Sequence, residues 1–149
     1  MPGIVVGVDG SANARSALVW AAGEAAARRA PLTVLAVHEI SSSFWTGRPV
    51  VLSADEDQLA AAKAAATELT DKTMSELGEA KPASVTVKAV NGFAADELLA
   101  AAKGADMIVI GARGGAQASG LAAHSPIGSV SNKVLHRAKC PVVVIPASD

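Results

Sequence analysis

The chain has 149 residues, a formal net charge of −1, half its residues apolar and only 3% aromatic. That length suffices for one domain with a substantial core, built here from Val, Leu, Ile and much Ala. The basic residues are scattered, which excludes an electrostatic footprint for duplex DNA or an anionic membrane. The single cysteine, Cys140, excludes an internal disulfide and offers no cysteine set for a metal.

Met1-Pro2 leads directly into a strand-like run, with no basic and apolar leader, and no apolar stretch approaches the roughly 18 residues of a membrane span. The expectation is a soluble, cytoplasmic protein. Gly3 to Val8 (GIVVGV) reads as a buried strand ending in Asp9-Gly10-Ser11. Ser11 can cap a helix whose apolar face runs Ala14, Ala17, Leu18, Ala21, Ala22 and Ala25. Arg28 and Arg29 close that helix, complementing its dipole. Leu32 to Val37 (LTVLAV) is a second buried strand, ending at His38-Glu39.

Ser41 to Val51 has no clear period and reads as a long surface loop, a kind of connection that is often functional in compact domains. Ser53 with Glu56 makes a capping box for a helix with Leu59, Ala62, Ala66, Leu69, Thr73 and Leu77 at helical spacing, stopped by Gly78. Ser84 to Val90 (SVTVKAV) alternates and is β-branched, which predicts a third, more exposed strand. Gly92 marks the turn into a helix that packs Leu98, Leu99 and Ala102 inward. Then follow a strand over Asp106 to Ile110, a glycine-rich loop, an amphipathic helix over Val130 to Ala138, and a closing strand, Val142 to Ile145, between Pro141 and Pro146.

Strands alternating with helices, with apolar runs too continuous for one-faced burial, predict a doubly wound, five-stranded parallel sheet with helices on both faces. Ligands of such sheets bind beyond the carboxyl ends of the strands, where the winding reverses. The polar residues ending the strands are Asp9, His38, Asn91 and the loop from Gly111. The order 3-2-1-4-5 sets Asp9 opposite that loop; the alternative 2-1-3-4-5 does so less well. Glycines let loop backbone approach a ligand, and Gly128-Ser129 stands where free helix N–H groups favour a phosphate.

The opening GIVVGVDGSANARSALVWA, the middle NGFAADELLAAAKGADMIVIGARG and the closing GSVSNKVLHRAKCPVVVIP resemble a single-domain universal stress protein of the ATP-binding type, over nearly the whole of residues 1–149. The family motif, G-x2-G-x9-G-[ST], is matched by Gly111-Ala112-Arg113-Gly114 and Gly128-Ser129. The resemblance implies that Gly111 lies beneath a ribose and that Gly114, Gly128, Ser129, Val130 and Ser131 hold phosphates. Gly7, Val8 and Asp9 would line the adenosine end, with Val37 beside the adenine. Arg113 is within reach of a phosphate, and Asp9 can take a ribose hydroxyl or a water of Mg²⁺. Thirteen residues, Gly115 to Ile127, separate the motif halves where the family pattern has nine; a longer loop costs little entropy.

No strong general base, nucleophile–His pair or metal cluster stands out, so at most slow ATP hydrolysis is expected; the resemblance implies an ATP-binding regulatory homodimer. The resemblance implies pairing through Val142 to Ile145, and a regulatory protein partner would read the nucleotide state. A nucleotide-free dimeric module is the rival, and an adenylate-forming enzyme a more remote one. A phosphate-binding NTPase is excluded by the lack of G-x4-G-K-[ST]. A phosphoacceptor receiver domain is excluded because Asp9 stands without an acidic cluster. His124 reads as solvent-exposed, His136 with Lys133, Arg137 and Lys139 as a solvated helix end, and Cys140 as a structural thiol.

Overall fold

The computed structural model describes residues 3–39, 42–45, 48–51, 56–112 and 129–146. Strand β1 (Ile4–Val8) leads through the Asp9–Ser11 turn to helix α1 (Ala12–Arg28) and strand β2 (Leu32–Glu39). Strands β3 (Ser42–Trp45) and β4 (Arg48–Val51) precede helix α2 (Glu56–Leu77) and a short 3₁₀ turn over Gly78–Ala80. Then come β5 (Val85–Gly92), α3 (Ala94–Ala101), β6 (Met107–Gly111), α4 (Ser129–Arg137) and β7 (Val142–Ile145).

Five strands form an all-parallel sheet in the order β5-β2-β1-β6-β7. Counted along the chain without β3 and β4, that is the expected 3-2-1-4-5. Alternating side chains along each strand feed two cores. On one face, Ile4, Val6 and Val8 of β1, Val34 and Ala36 of β2 and Val109 of β6 meet α1 and α2. On the other, Val5, Leu35, Ile108 and Ile110 meet α3 and α4. The sheet is therefore covered on both sides, as its continuous apolar runs require.

Helix α1 forms where expected: the Ser11 side chain accepts from Ala14 N at 3.1 Å, and all six predicted face residues, Ala14, Ala17, Leu18, Ala21, Ala22 and Ala25, are buried. Five alanines in that face let the helix axis come close to the sheet. Helix α2 buries Ala66, Thr70 and Thr73. The two threonine hydroxyls donate to Ala66 O at 2.7 Å and Leu69 O at 2.8 Å, so their burial leaves no donor orphaned. The helix ends at Leu77, and Gly78 follows at φ +58°. Strand β5 is the open edge beyond β2 and alternates half-buried with exposed residues over Val85–Ala89, the more exposed strand its sequence predicts.

The expectation of a loop over Ser41 to Val51 is corrected. β3 and β4 pair antiparallel in a ribbon of their own, from Ser42↔Val51 to Trp45↔Arg48. Phe, Trp and Val favour extended backbone, but strands of four residues are too short for alternation to register as a signal. Pro49 fits because a two-stranded ribbon leaves each strand one unpaired edge. Ser53, the expected cap of α2, lies outside the described residues; Glu56 and Asp57 place negative charge in the helix's first turn.

Candidate functional site

β1 and β6 lie side by side, in register from Ile4↔Met107 to Val6↔Val109. β1 passes through α1 to β2 on one side, and β6 passes through α4 to β7 on the other. Two parallel neighbours that depart in opposite directions leave a crevice at their carboxyl ends. Four segments meet there: the Asp9–Ser11 turn with the start of α1, the end of β6, the start of α4 and the end of β7.

Asp9 is exposed, and its Oδ1 accepts from Ser11 N at 3.0 Å and from the Ser11 hydroxyl at 2.6 Å. The carboxylate thus shapes the turn that starts α1, in the manner of an Asx-turn. On the opposite wall, the buried Ser131 hydroxyl donates to Gly111 O at 2.6 Å, which ties the first turn of α4 to the end of β6. Ser129 opens α4 and is exposed, while Val130 is half-buried against the core beneath α3 and α4. The backbone N–H groups of Ser129, Val130 and Ser131 have no acceptor within their own helix, because an α-helix supplies none to its first turn.

Gly7 of β1 and Gly111 of β6 are both needed by protein neighbours. A Cβ on Gly7 would meet Leu98 Cδ2 at 2.9 Å, so this glycine admits α3. A Cβ on Gly111 would meet Asn13 Oδ1 at 2.7 Å and Cγ at 2.8 Å. Asn13 cannot simply swing away: its Nδ2 donates to Ile145 O at 3.0 Å and Pro146 O at 3.3 Å. Ile145 O also accepts from Ala112 N at 2.8 Å. Asn13 therefore joins the start of α1 to the exit of β7, with Gly111 packed against it. Sequence reading misses Asn13; the only signal is a carboxamide in the first turn of α1, off the helix's apolar face.

Val8 is buried in the α1/α2 core, and Val37 is half-buried against the α3/α4 core. Arg113, Gly114 and Gly128, the remaining expected nucleotide contacts, lie outside the described residues, as does His124. Lys133, His136 and Lys139 are exposed, and Arg137 pairs with Asp96 of α3 at 2.7 Å. Cys140 is half-buried; burial, reinforced by the negative charge of Asp106 and opposed by a backbone hydrogen bond at Ile108, raises its thiol above the ordinary range. Among the described residues, no group of three or more His, Cys, Asp or Glu is placed to hold a metal ion, and no helix is long and apolar enough to cross a membrane.

A doubly wound parallel sheet of order 3-2-1-4-5, with its crevice walled by a strand-end aspartate turn and a helix start, defines the class as an open α/β fold whose crevice lies where such sheets take their ligands. Sequence comparison narrows the class: the profile of the universal stress protein family matches residues 2–146, and the chain belongs to that family. It is 35% identical over 153 residues to universal stress protein Rv2005c of Mycobacterium tuberculosis, covering 99% of this chain and 48% of that protein. The chain thus spans about half the length of the curated relatives it matches. A universal stress protein from Archaeoglobus fulgidus, solved in complex with dAMP, superposes with a TM-score of 0.64 at 27% identity, covering 97% of this chain and 98% of that one. A universal stress protein solved in complex with cAMP shares the fold with a TM-score of 0.67 at 24% identity, covering 99% and 98%.

Proposed function

We propose that residues 1–149 form one adenine-nucleotide-binding unit that carries ATP with Mg²⁺ in the crevice between β1 and β6 and acts in stress-response regulation rather than catalysis. The observation that carries this reading is that two segments meet at Gly111 at the end of β6: the start of α4, through the Ser131–Gly111 bond, and the start of α1 just after the Asp9 turn, through the packing of Asn13. The N–H groups of α4's first turn, which their own helix leaves without acceptors, favour phosphate. Asp9, on the facing wall, suits a ribose hydroxyl or a water of the Mg²⁺ that ATP brings. The dAMP complex of the A. fulgidus relative supports an adenine nucleotide as the ligand.

Gly7, Val8, Asp9 and Val37 are assigned to the adenosine end, Gly111 to the ribose, and Arg113, Gly114, Gly128, Ser129, Val130 and Ser131 to the phosphates. β7 is an edge strand of four half-buried apolar residues, Val142–Ile145, and such edges are normally paired or covered. It suits pairing with a second copy, which makes the working form a cytoplasmic homodimer whose nucleotide-ordered surface a regulatory protein reads.

Denaturing the freshly purified protein and separating what it releases by chromatography tests the ligand, and calorimetric titration with Mg-ATP tests the site. Wild type is expected to bind and Gly114→Asp to lose binding. Equal binding by both, or by neither, overturns the assignment. Phosphate release is expected far below the roughly 1–1000 s⁻¹ of dedicated enzymes. A monomeric mass at micromolar concentration overturns the dimer.

A further inference from the structure

Asn13 ties the crevice to the outer edge of the sheet. It stands in the first turn of α1, two residues beyond Ser11, whose N–H and hydroxyl are held by Asp9. Its Nδ2 donates to Ile145 O at 3.0 Å and Pro146 O at 3.3 Å, where β7 ends. The other wall reaches the same point. Ala112 N donates to Ile145 O at 2.8 Å, and the carbonyl of the preceding Gly111 takes the Ser131 hydroxyl. Both walls of the crevice are therefore fastened to the last residue of β7.

The edge of β7 matches itself. Pro141 O accepts from Ile108 N at 3.0 Å and Ile145 O from Ala112 N, so Pro141, Val143 and Ile145 turn their backbone groups toward β6. Alternation turns the N–H and C=O of Val142 and Val144 outward. With two copies antiparallel, Val142 of one stands opposite Val144 of the other, and each such pair exchanges both N–H···O bonds. Apolar side chains flank this edge: Val19 and Trp20 of α1, 39% and 38% exposed, share a shallow groove with Ile145. The opposite outer strand, β5, exposes Thr86 and Lys88 instead, and a charge on an edge strand discourages pairing.

We propose that Asn13 couples the crevice to pairing through β7, so that a bound nucleotide strengthens the dimer and the dimer strengthens nucleotide binding. A nucleotide bonded to Asp9 on one wall and to the start of α4 on the other holds the start of α1 against the end of β6. That is the arrangement in which Asn13 spans to β7. A second copy needs Val142 and Val144 in line, which the same bonds to Ile145 and Pro146 secure. Two ligands that favour one arrangement bind cooperatively, and by linkage each strengthens the other by the same factor. This coupling rests on the nucleotide and dimer reading above and adds the residue that joins the two.

Sedimentation equilibrium of the full chain, without nucleotide and at saturating Mg-ATP, measures the dimer dissociation constant in each state, and calorimetry establishes that nucleotide binds. Wild type is expected to dimerise about 5–150-fold more tightly with Mg-ATP, the usual span for coupled sites. Asn13→Leu keeps the side chain's bulk, adds no charge and removes both donated bonds; Asn13→Ala removes the side chain. In each variant the two dissociation constants are expected to agree within about twofold. A wild type that binds Mg-ATP and dimerises equally well without it overturns the coupling and leaves the nucleotide site and the dimer standing. Coupling undiminished in both variants overturns the part given to Asn13. Absence of nucleotide binding, or of a dimer, overturns the underlying reading and this coupling with it.

Discussion

Replacing Gly111 with alanine tests whether the walls of the crevice are assembled as the contacts describe. The new methyl would stand 2.7 Å from Asn13 Oδ1, 2.8 Å from Cγ and 3.3 Å from Nδ2, well inside ordinary contact. Asn13 has to move, and moving releases Ile145 O and Pro146 O. Ile145 O keeps its bond from Ala112 N, so the hydrogen-bond loss is about 1 kcal/mol. Overpacking adds about 1–2 kcal/mol, for a total of about 2–3 kcal/mol. In a domain of this size that lowers Tm by about 4–12 °C. Asn13→Ala alone loses the same bonds and is expected to cost about 1 kcal/mol. The two changes share one cause, so in the Asn13→Ala background, where the methyl finds space, Gly111→Ala is expected to cost less than about 1 kcal/mol. Urea unfolding of the four proteins in this double-mutant cycle yields a coupling energy of about 1–2 kcal/mol. Costs that add within about 0.5 kcal/mol refute the view that Asn13 makes this position a glycine.

Leu18, with no exposed surface in the α1 core, is expected to lose about 3–5 kcal/mol on replacement by alanine, a large part of a typical 5–15 kcal/mol stability; an unchanged urea midpoint contradicts the packing of α1. Thr73→Val is expected to change stability by less than about 1 kcal/mol, because Leu69 O keeps its helical backbone bond when the hydroxyl is removed. The Arg15–Glu76 pair, at 3.3 Å with both side chains 48% exposed, is expected to contribute less than about 1 kcal/mol, so Glu76→Gln leaves Tm nearly unchanged at low and at high salt. At Cys140 the folded state favours the neutral thiol. Its contribution to stability is full below the unfolded thiol's pKa of about 8.5 and is lost as pH rises from there through the raised folded value. Iodoacetamide should therefore modify the folded chain more slowly than the urea-unfolded chain at pH 8, Asp106→Asn should speed that reaction, and Cys140→Ser should lessen the fall in stability toward pH 10.

Much of the fold is legible in the chain because its signals are local. The spacing of Ala14, Ala17, Leu18, Ala21, Ala22 and Ala25 marks the one buried stripe of α1, and Ser11 and Gly78 mark helix ends through their own backbone chemistry. The expected order 3-2-1-4-5 agrees with the sheet because placing Asp9 opposite Gly111 is the same requirement as setting β1 beside β6. The β3–β4 ribbon is not legible, since four-residue strands offer too few positions for a period to show.

Within the site, the sequence by itself marked which segments reach the carboxyl end of the sheet: Asp9, His38, Asn91 and the loop from Gly111. Tertiary structure alone decided what those residues do to one another. Asn13 meets Ile145 across 132 positions of chain, Ser131 meets Gly111 across 20, and His38 faces Asn91 only because β2 and β5 pair in that register. A periodic pattern reports which way a side chain points from its own element. A hydrogen bond between elements depends on how strand order and register bring distant residues within about 3 Å, and no local pattern carries that distance.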